Sequence, residues 1–154
     1  MTASKRLISL LLLYAPFCAV SQLTPLSKWD AEKKNWQSDV SEVAYVATRC
    51  ASNFDIVGHY FIDRGINAKQ KTDGEAFKVF ADKFMSIGYK TSKLTNMDNN
   101  AILERYKSFL DINTKLAADN KKLHNNIFMG TFLQDFEFCQ NNYQYFKGLD
   151  EKVK

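Results

Sequence analysis

DVSEVAYVATRCASNFDIVGHYFIDR, residues Asp39–Arg64, carries apolar side chains at Val40, Val43, Ala47, Cys50, Phe54, Val57 and Phe61. The steps alternate between three and four, the period of a helix face turned toward a core, and Ala44, Ala51, Gly58 and Ile62 widen the stripe on one side. Cys50 falls near the middle of that stripe. A second stripe near the C-terminus, Phe132, Phe136, Cys139, Tyr143 and Phe146, has Cys139 at its own middle. The pair reads as a disulfide joining the first long helix to the last; two buried free thiols are the alternative. A cross-link closing so long a loop stabilises by about 4–5 kcal/mol on the chain-entropy account.

The opening residues, MTASKRLISLLLLYAPFCAVSQ, have the three parts of a secretory signal. Lys5 and Arg6 form the basic start, Leu7–Ala15 an apolar run short for a bilayer span, and Ala19-Val20-Ser21 the small residues of a cleavage site. Cleavage is expected after Ser21, which makes residues 1–21 the signal peptide and 22–154 a single helical domain. An uncleaved anchor would need a longer apolar run, and a lipid-bearing Cys18 is disfavoured by the bulky Phe17 before it. Removal of Cys18 leaves one cysteine pair, as an oxidising compartment favours, so the chain is expected to be secreted or periplasmic. The formal charge of +4 falls by two when Lys5 and Arg6 leave. No basic cluster then remains that reads as a nucleic-acid footprint, and no stable membrane span is expected.

Along the mature chain, Pro25 lies in an extended lead-in and Ser27 is placed to cap a short helix. Trp29 and Trp36, seven apart, continue the apolar face toward Val40. Either one helix runs from Lys28 to Arg64, or it breaks near Gln37-Ser38 and restarts at the Asp39/Glu42 capping pair; the cap favours the break. Gly65 ends the first long helix, and Ile66–Lys71 reads as a polar linker. Thr72-Asp73-Gly74-Glu75 reads as the capping box of the second helix, which carries Ala76, Phe77, Phe80, Phe84 and Ile87 to about Leu94. A third helix spans about Asn100–Asn120. Asn113 and Asn120 interrupt its apolar face, so that face is either half exposed or holds buried, register-fixing amides. A fourth, unusually aromatic helix is expected from about Ile127 to Leu149. Four amphipathic segments with short connections predict an all-α, up-down-up-down four-helix bundle with a short N-terminal helix. In it Cys50 and Cys139 sit at matching heights on antiparallel neighbours.

Catalytic and cofactor signatures are absent from the pattern. Neither His59 nor His124 has a glutamate three residues before it, as di-iron bundles require, and there is no Cys-x-x-Cys-His for covalent haem. No Gly-x-Ser-x-Gly and no phosphate-cradling glycine loop occurs, and Asp135 and Glu137 point to different sides of one helix. Asp55, His59 and Asp63 share one helical face at spacings of four, but ligands on one straight helix cannot surround a metal, so no metal or cofactor is expected.

Arg49-Cys50-Ala51 within a long helix, with a later cysteine among aromatics in Phe136–Tyr143, resembles small exported two-cysteine helical proteins, periplasmic immunity and inhibitor proteins among them. The likeness is one of architecture. These features predict a non-enzymatic exported protein that binds a protein partner or a second copy of itself, with Trp29, Trp36, Phe138 and Tyr145 as candidate contact residues. A bundle enclosing a small apolar ligand, or a haem held by His59 and one of Met85, Met97 and Met129, is the alternative.

Overall fold

A computed structural model of the chain describes residues 23–152. The expected signal segment, with Cys18 and the cleavage site, lies outside the described residues. The fold is all-α: α1 (Leu26–Glu32), a 3-10 turn (Trp36–Ser38), α2 (Val40–Arg64), α3 (Ala68–Leu94), α4 (Asn99–His124), α5 (Gly130–Asn141) and α6 (Tyr143–Lys152). The cysteines are joined, Cys50 of α2 to Cys139 of α5, with a Cα–Cα distance of 5.5 Å. Among the described residues no helix is long and apolar enough to cross a membrane.

Contacts along α2 fix the direction of its neighbours. Gly58 meets Gly74 and Thr48 meets Gly88, so α3 runs antiparallel to α2. Tyr45 packs on Phe109 and Tyr60 meets Lys121, so α4 runs parallel to it. Phe61 packs on Phe128, Phe54 on Phe136, and Cys50 bonds Cys139, so α5 runs back along α2. α6 turns onto α3, with Phe84 on Phe146 and Lys90 bonded to Asp150.

Local chemistry explains where the boundaries fall. The break before α2 is real, and Asp39 caps it by accepting from the backbone N–H groups of Ser41 and Glu42. Glu42 does not reach back; it pairs with Lys33 instead. α1 begins at Leu26, ahead of the Lys28 start that a Ser27 cap would set, because its first free N–H, that of Leu26, is capped from α5 by the Asp135 carboxylate at 2.7 Å. α3 starts at Ala68 and not at Thr72. Asn67 accepts from Gln70 N, while the Gln70 side chain accepts from Ile66 N, so the cap lies five residues upstream of the expected box and the linker is only Gly65–Asn67.

The expected fourth helix is two helices. Its start is delayed to Gly130, because Asn120 holds the carbonyls of Ile127 and Met129 in the turn and Gly130 takes a positive φ of 54°. It is then interrupted at Asn142, whose side-chain amide and backbone N–H both bond the Phe138 carbonyl, a local competition typical of asparagine inside a helix. Asn113 is fully buried, donating to Ser52 Oγ at 2.8 Å, whereas Asn120 is only partly so.

Candidate functional site

Three helices form a trough with α2 at its base. On one side, α3 lies against α2 through Gly58 and Gly74: a Cβ on Gly74 would stand 2.9 Å from the Gly58 carbonyl and from the backbone N of Ile62. Only glycine allows this approach. On the other side, α5 is tied to α2 by the disulfide and by a buried ion pair, Arg49 Nη2 to Asp135 Oδ2 at 2.6 Å with Arg49 Nε on the same oxygen at 2.7 Å. Arg49 also donates to the Thr24 carbonyl, so the pair holds the lead-in to α1 as well. Burial pushes the Asp135 carboxyl up, against the pull of the Arg49 guanidinium and the Leu26 N–H.

α3 and α5 do not close on each other. No hydrogen bond or ion pair among the described residues joins them, and aromatic rings bridge the gap: Phe77 to Phe136 at 5.7 Å, with Phe54 beneath both at 6.0 and 5.3 Å. The result is an apolar groove. Its largest hollow, 410 Å³, is lined by Phe61, Ala76, Phe77, Phe80, Phe128 and Phe136, with the Asp73 carboxylate at its edge. A second hollow of 190 Å³ shares Phe77 and Phe80 and reaches Tyr143. A third, 170 Å³, runs on from Tyr143 between α3 and α6, flanked by Lys83 and Lys147 and by Asp150 and Glu151. From Asp73 to Ile87 the groove follows α3 for about 21 Å, nearly four helical turns. Phe61, Phe77, Phe80 and Phe128 are only partly buried, so they present ring surface to whatever lies in it.

The four candidate contact residues gather elsewhere, at the α1 end. Trp36 is the centre of this cluster, with ring centroids 6.0 Å from Trp29, 6.1 Å from Phe138 and 5.5 Å from Tyr145. Trp36 and Phe138 are core residues; Trp29 and Tyr145 keep part of their surface. Trp36 Nε1 donates to Asp30 and the Tyr145 hydroxyl to the Gln37 carbonyl, which pins the 3-10 turn over the bundle end. This cluster seals a core.

Asp55, His59 and Asp63 do not come together as a metal site. Lys78 crosses the open face of Gly58 to pair with Asp55, and its Nζ lies 3.0 Å from His59 Nε2. The other Asp55 oxygen accepts from the Tyr106 hydroxyl at 3.0 Å. Burial and the facing Asp55 carboxylate push the Tyr106 phenol far above its ordinary value, so it stays a neutral donor. Asp63 is exposed and outside the cluster, and among the described residues no three His, Cys, Asp or Glu side chains form a metal-holding group. His59 is exposed, and neither histidine lines the groove; Met85, Met97 and Met129 do not line it either.

Sequence reasoning passed over Gly74, read as part of a cap, and the Arg49–Asp135 pair. Asp135 did carry a signal: it stands three after Phe132 and four before Cys139, inside the apolar stripe. In comparisons with known proteins, no family matches the chain, and no curated protein or solved structure matches it either.

Proposed function

We propose that this protein is a non-enzymatic binding protein of an oxidising, extracytoplasmic compartment, and that it holds a partner protein through the aromatic groove between α3 and α5–α6. The observation that carries this reading is the row of part-exposed rings, Phe61, Phe77, Phe80 and Phe128, in a trough that the fold leaves open. Single exposed apolar residues are ordinary on a protein surface, but a contiguous aromatic row in a groove is the feature of a contact site. Its length suits an apolar-faced helix laid along α3 with anchors at steps of three and four. A small apolar ligand fits less well, because such ligands favour sites that bury most of their surface, and this groove is open along its length. The exported compartment is supported by the Cys50–Cys139 bond and by the signal-like start of the sequence. Inhibitor- or immunity-type work is the use that the architecture resembles.

The test is selection of displayed random peptides on the immobilised oxidised protein, with counter-selection on the Phe80→Ala variant. Peptides with apolar residues at i, i+3, i+4 and i+7 that bind the wild type and lose the variant are the expected result. Peptides that bind both proteins equally overturn the assignment of the groove. Failure to select any, together with a fatty acid or haem that titrates into the wild type and not into Phe80→Ala, gives the site to a small ligand.

A further inference from the structure

A second groove, on a different side of α2, lies between α2 and α4 and has a volume of 490 Å³. Ile56 and Tyr60 of α2 and the paired small residues Ala117 and Ala118 of α4 line its apolar floor. Two cations stand on its walls, Arg64 from α2 and Lys121 from α4, and among the described residues no acidic side chain lines it. Among the described residues neither cation forms an ion pair. Lys121 instead rests over the Tyr60 ring, 5.8 Å from its centroid, and donates to the Asn125 carbonyl. Because α2 and α4 run parallel, their C-termini finish at the same end of the molecule. There Leu123 is 72% exposed and Ile66 88%, and Lys122 and His124 add to the basic character of the last turn of α4.

We propose that this α2–α4 groove is a docking site for an acidic amphipathic helix of a partner protein. The apolar residues of that helix lie between Ile56 and Tyr60 of α2 and Ala117 and Ala118 of α4, and its carboxylates face Arg64 and Lys121. Charge complementarity selects the occupant: the floor is apolar, and among the described residues the charges facing it are positive and lack carboxylate partners. The short side chains of Ala117 and Ala118 let a helix approach closely, and an arginine with no ion-pair partner among the described residues, standing beside an apolar floor, is a typical interface anchor. The site is a furrow between two helix ridges, which a flat anionic bilayer would span without filling. This surface is independent of the aromatic groove, so either can stand if the other fails.

The experiment is fluorescence anisotropy with a labelled four-turn amphipathic peptide bearing leucines on one face and glutamates beside them, against the same peptide with lysine for glutamate. Vesicles of phosphatidylglycerol form a third arm. The expected result is binding of the glutamate peptide, weakening as salt is raised, with no binding of the lysine peptide. The variant Arg64→Glu/Lys121→Glu is expected to lose at least about tenfold in affinity, and Arg64→Gln/Lys121→Gln to lose an intermediate amount. Phe80→Ala leaves this binding unchanged. Both charge variants are checked for an unaltered melting curve, and the milder one serves if the reversal unfolds the chain. Equal binding of the two peptides, full binding by the neutral variant, or binding to vesicles alone overturns the proposal.

Discussion

On the flank of α5 that faces α2, a disulfide and a buried ion pair set the spacing of the two helices. On the flank that faces α3 the described residues show neither, and Phe77 and Phe136 bridge a gap that the backbones leave open. The contrast explains why the groove persists. Part-exposed rings favour collapse, since closing α5 onto α3 would remove apolar surface from water. α5 cannot move that way without pulling against Cys139 and Asp135, and α3 cannot move toward it without leaving the glycine contact with α2. The two tied seams hold the third one apart. Changes at each of three ties and one in the rings test that balance, beginning with the most costly.

The largest loss is expected from Arg49→Met, which leaves the Asp135 carboxylate buried without its cation. Breaking one side of a buried pair costs about 3–5 kcal/mol. The double variant Arg49→Met/Asp135→Leu removes both charges and is expected to recover much of that loss, although Leu26 N–H then loses its acceptor. Urea unfolding of the three proteins measures this. If the single variant unfolds with the wild type, the pair is not what sets the α2–α5 spacing.

Next comes Cys50→Ala/Cys139→Ala, expected to cost about 2–5 kcal/mol, the range that removal of native disulfides shows, of which the chain-entropy figure is the upper end. More than stability changes here: with the tether gone, α5 is free to shift toward α3. Amide exchange is expected to rise most in α5 and around Phe128, and binding of an apolar dye to the groove to change, while the α2–α3 seam stays protected. Uniform loosening of all helices would argue against a tether that acts on α5 in particular.

Gly74→Ala acts on the opposite wall. Its methyl group would meet the Gly58 carbonyl and the Ile62 backbone at 2.9 Å, and backbone atoms cannot rotate away. A loss of about 1–3 kcal/mol is expected, the usual range for overpacking. Ala76→Ser, on the exposed side of the same helix, is the control with little effect, and equal melting of the two would mean that α2 and α3 are not held by this contact.

Much of this arrangement is legible in the residue pattern alone. The alternating threes and fours of Asp39–Arg64 mark α2 to within a residue, and two cysteines at the middles of two stripes mark the tie to α5. What is not legible has a common cause, that it depends on tertiary partners. Leu26 N–H is capped from more than a hundred residues away, so no local motif marks the start of α1. Thr72–Glu75 has the residues of a capping box, yet Asn67 and Gln70 make the cap earlier, and the glycine inside the false box serves helix contact. Asn142 sits in a stripe that runs on past it, and the break there comes from its own amide turning back on Phe138. The groove itself cannot be read, because periodicity marks Phe77 and Phe80 as core-facing and cannot say that α5 stops short of them.

Apart from the Ala76→Ser control, the smallest expected effect is that of Phe80→Ala, and it bears most directly on whether the third seam is a surface. The ring stands 5.6 Å from Phe54 and 4.8 Å from Tyr143, yet it remains partly exposed in the groove. Were it buried like Phe132, at 0% exposure, truncation would cost about 3–5 kcal/mol through lost transfer energy and a cavity. A ring already facing water loses less on both counts, so about 1–2 kcal/mol is expected here, and no cavity forms because the vacated space is continuous with solvent. Thermal unfolding settles the magnitude. A loss near that of a core phenylalanine would mean that α3 and α5 close over this ring in solution, and the groove would cease to be a place where a partner can sit.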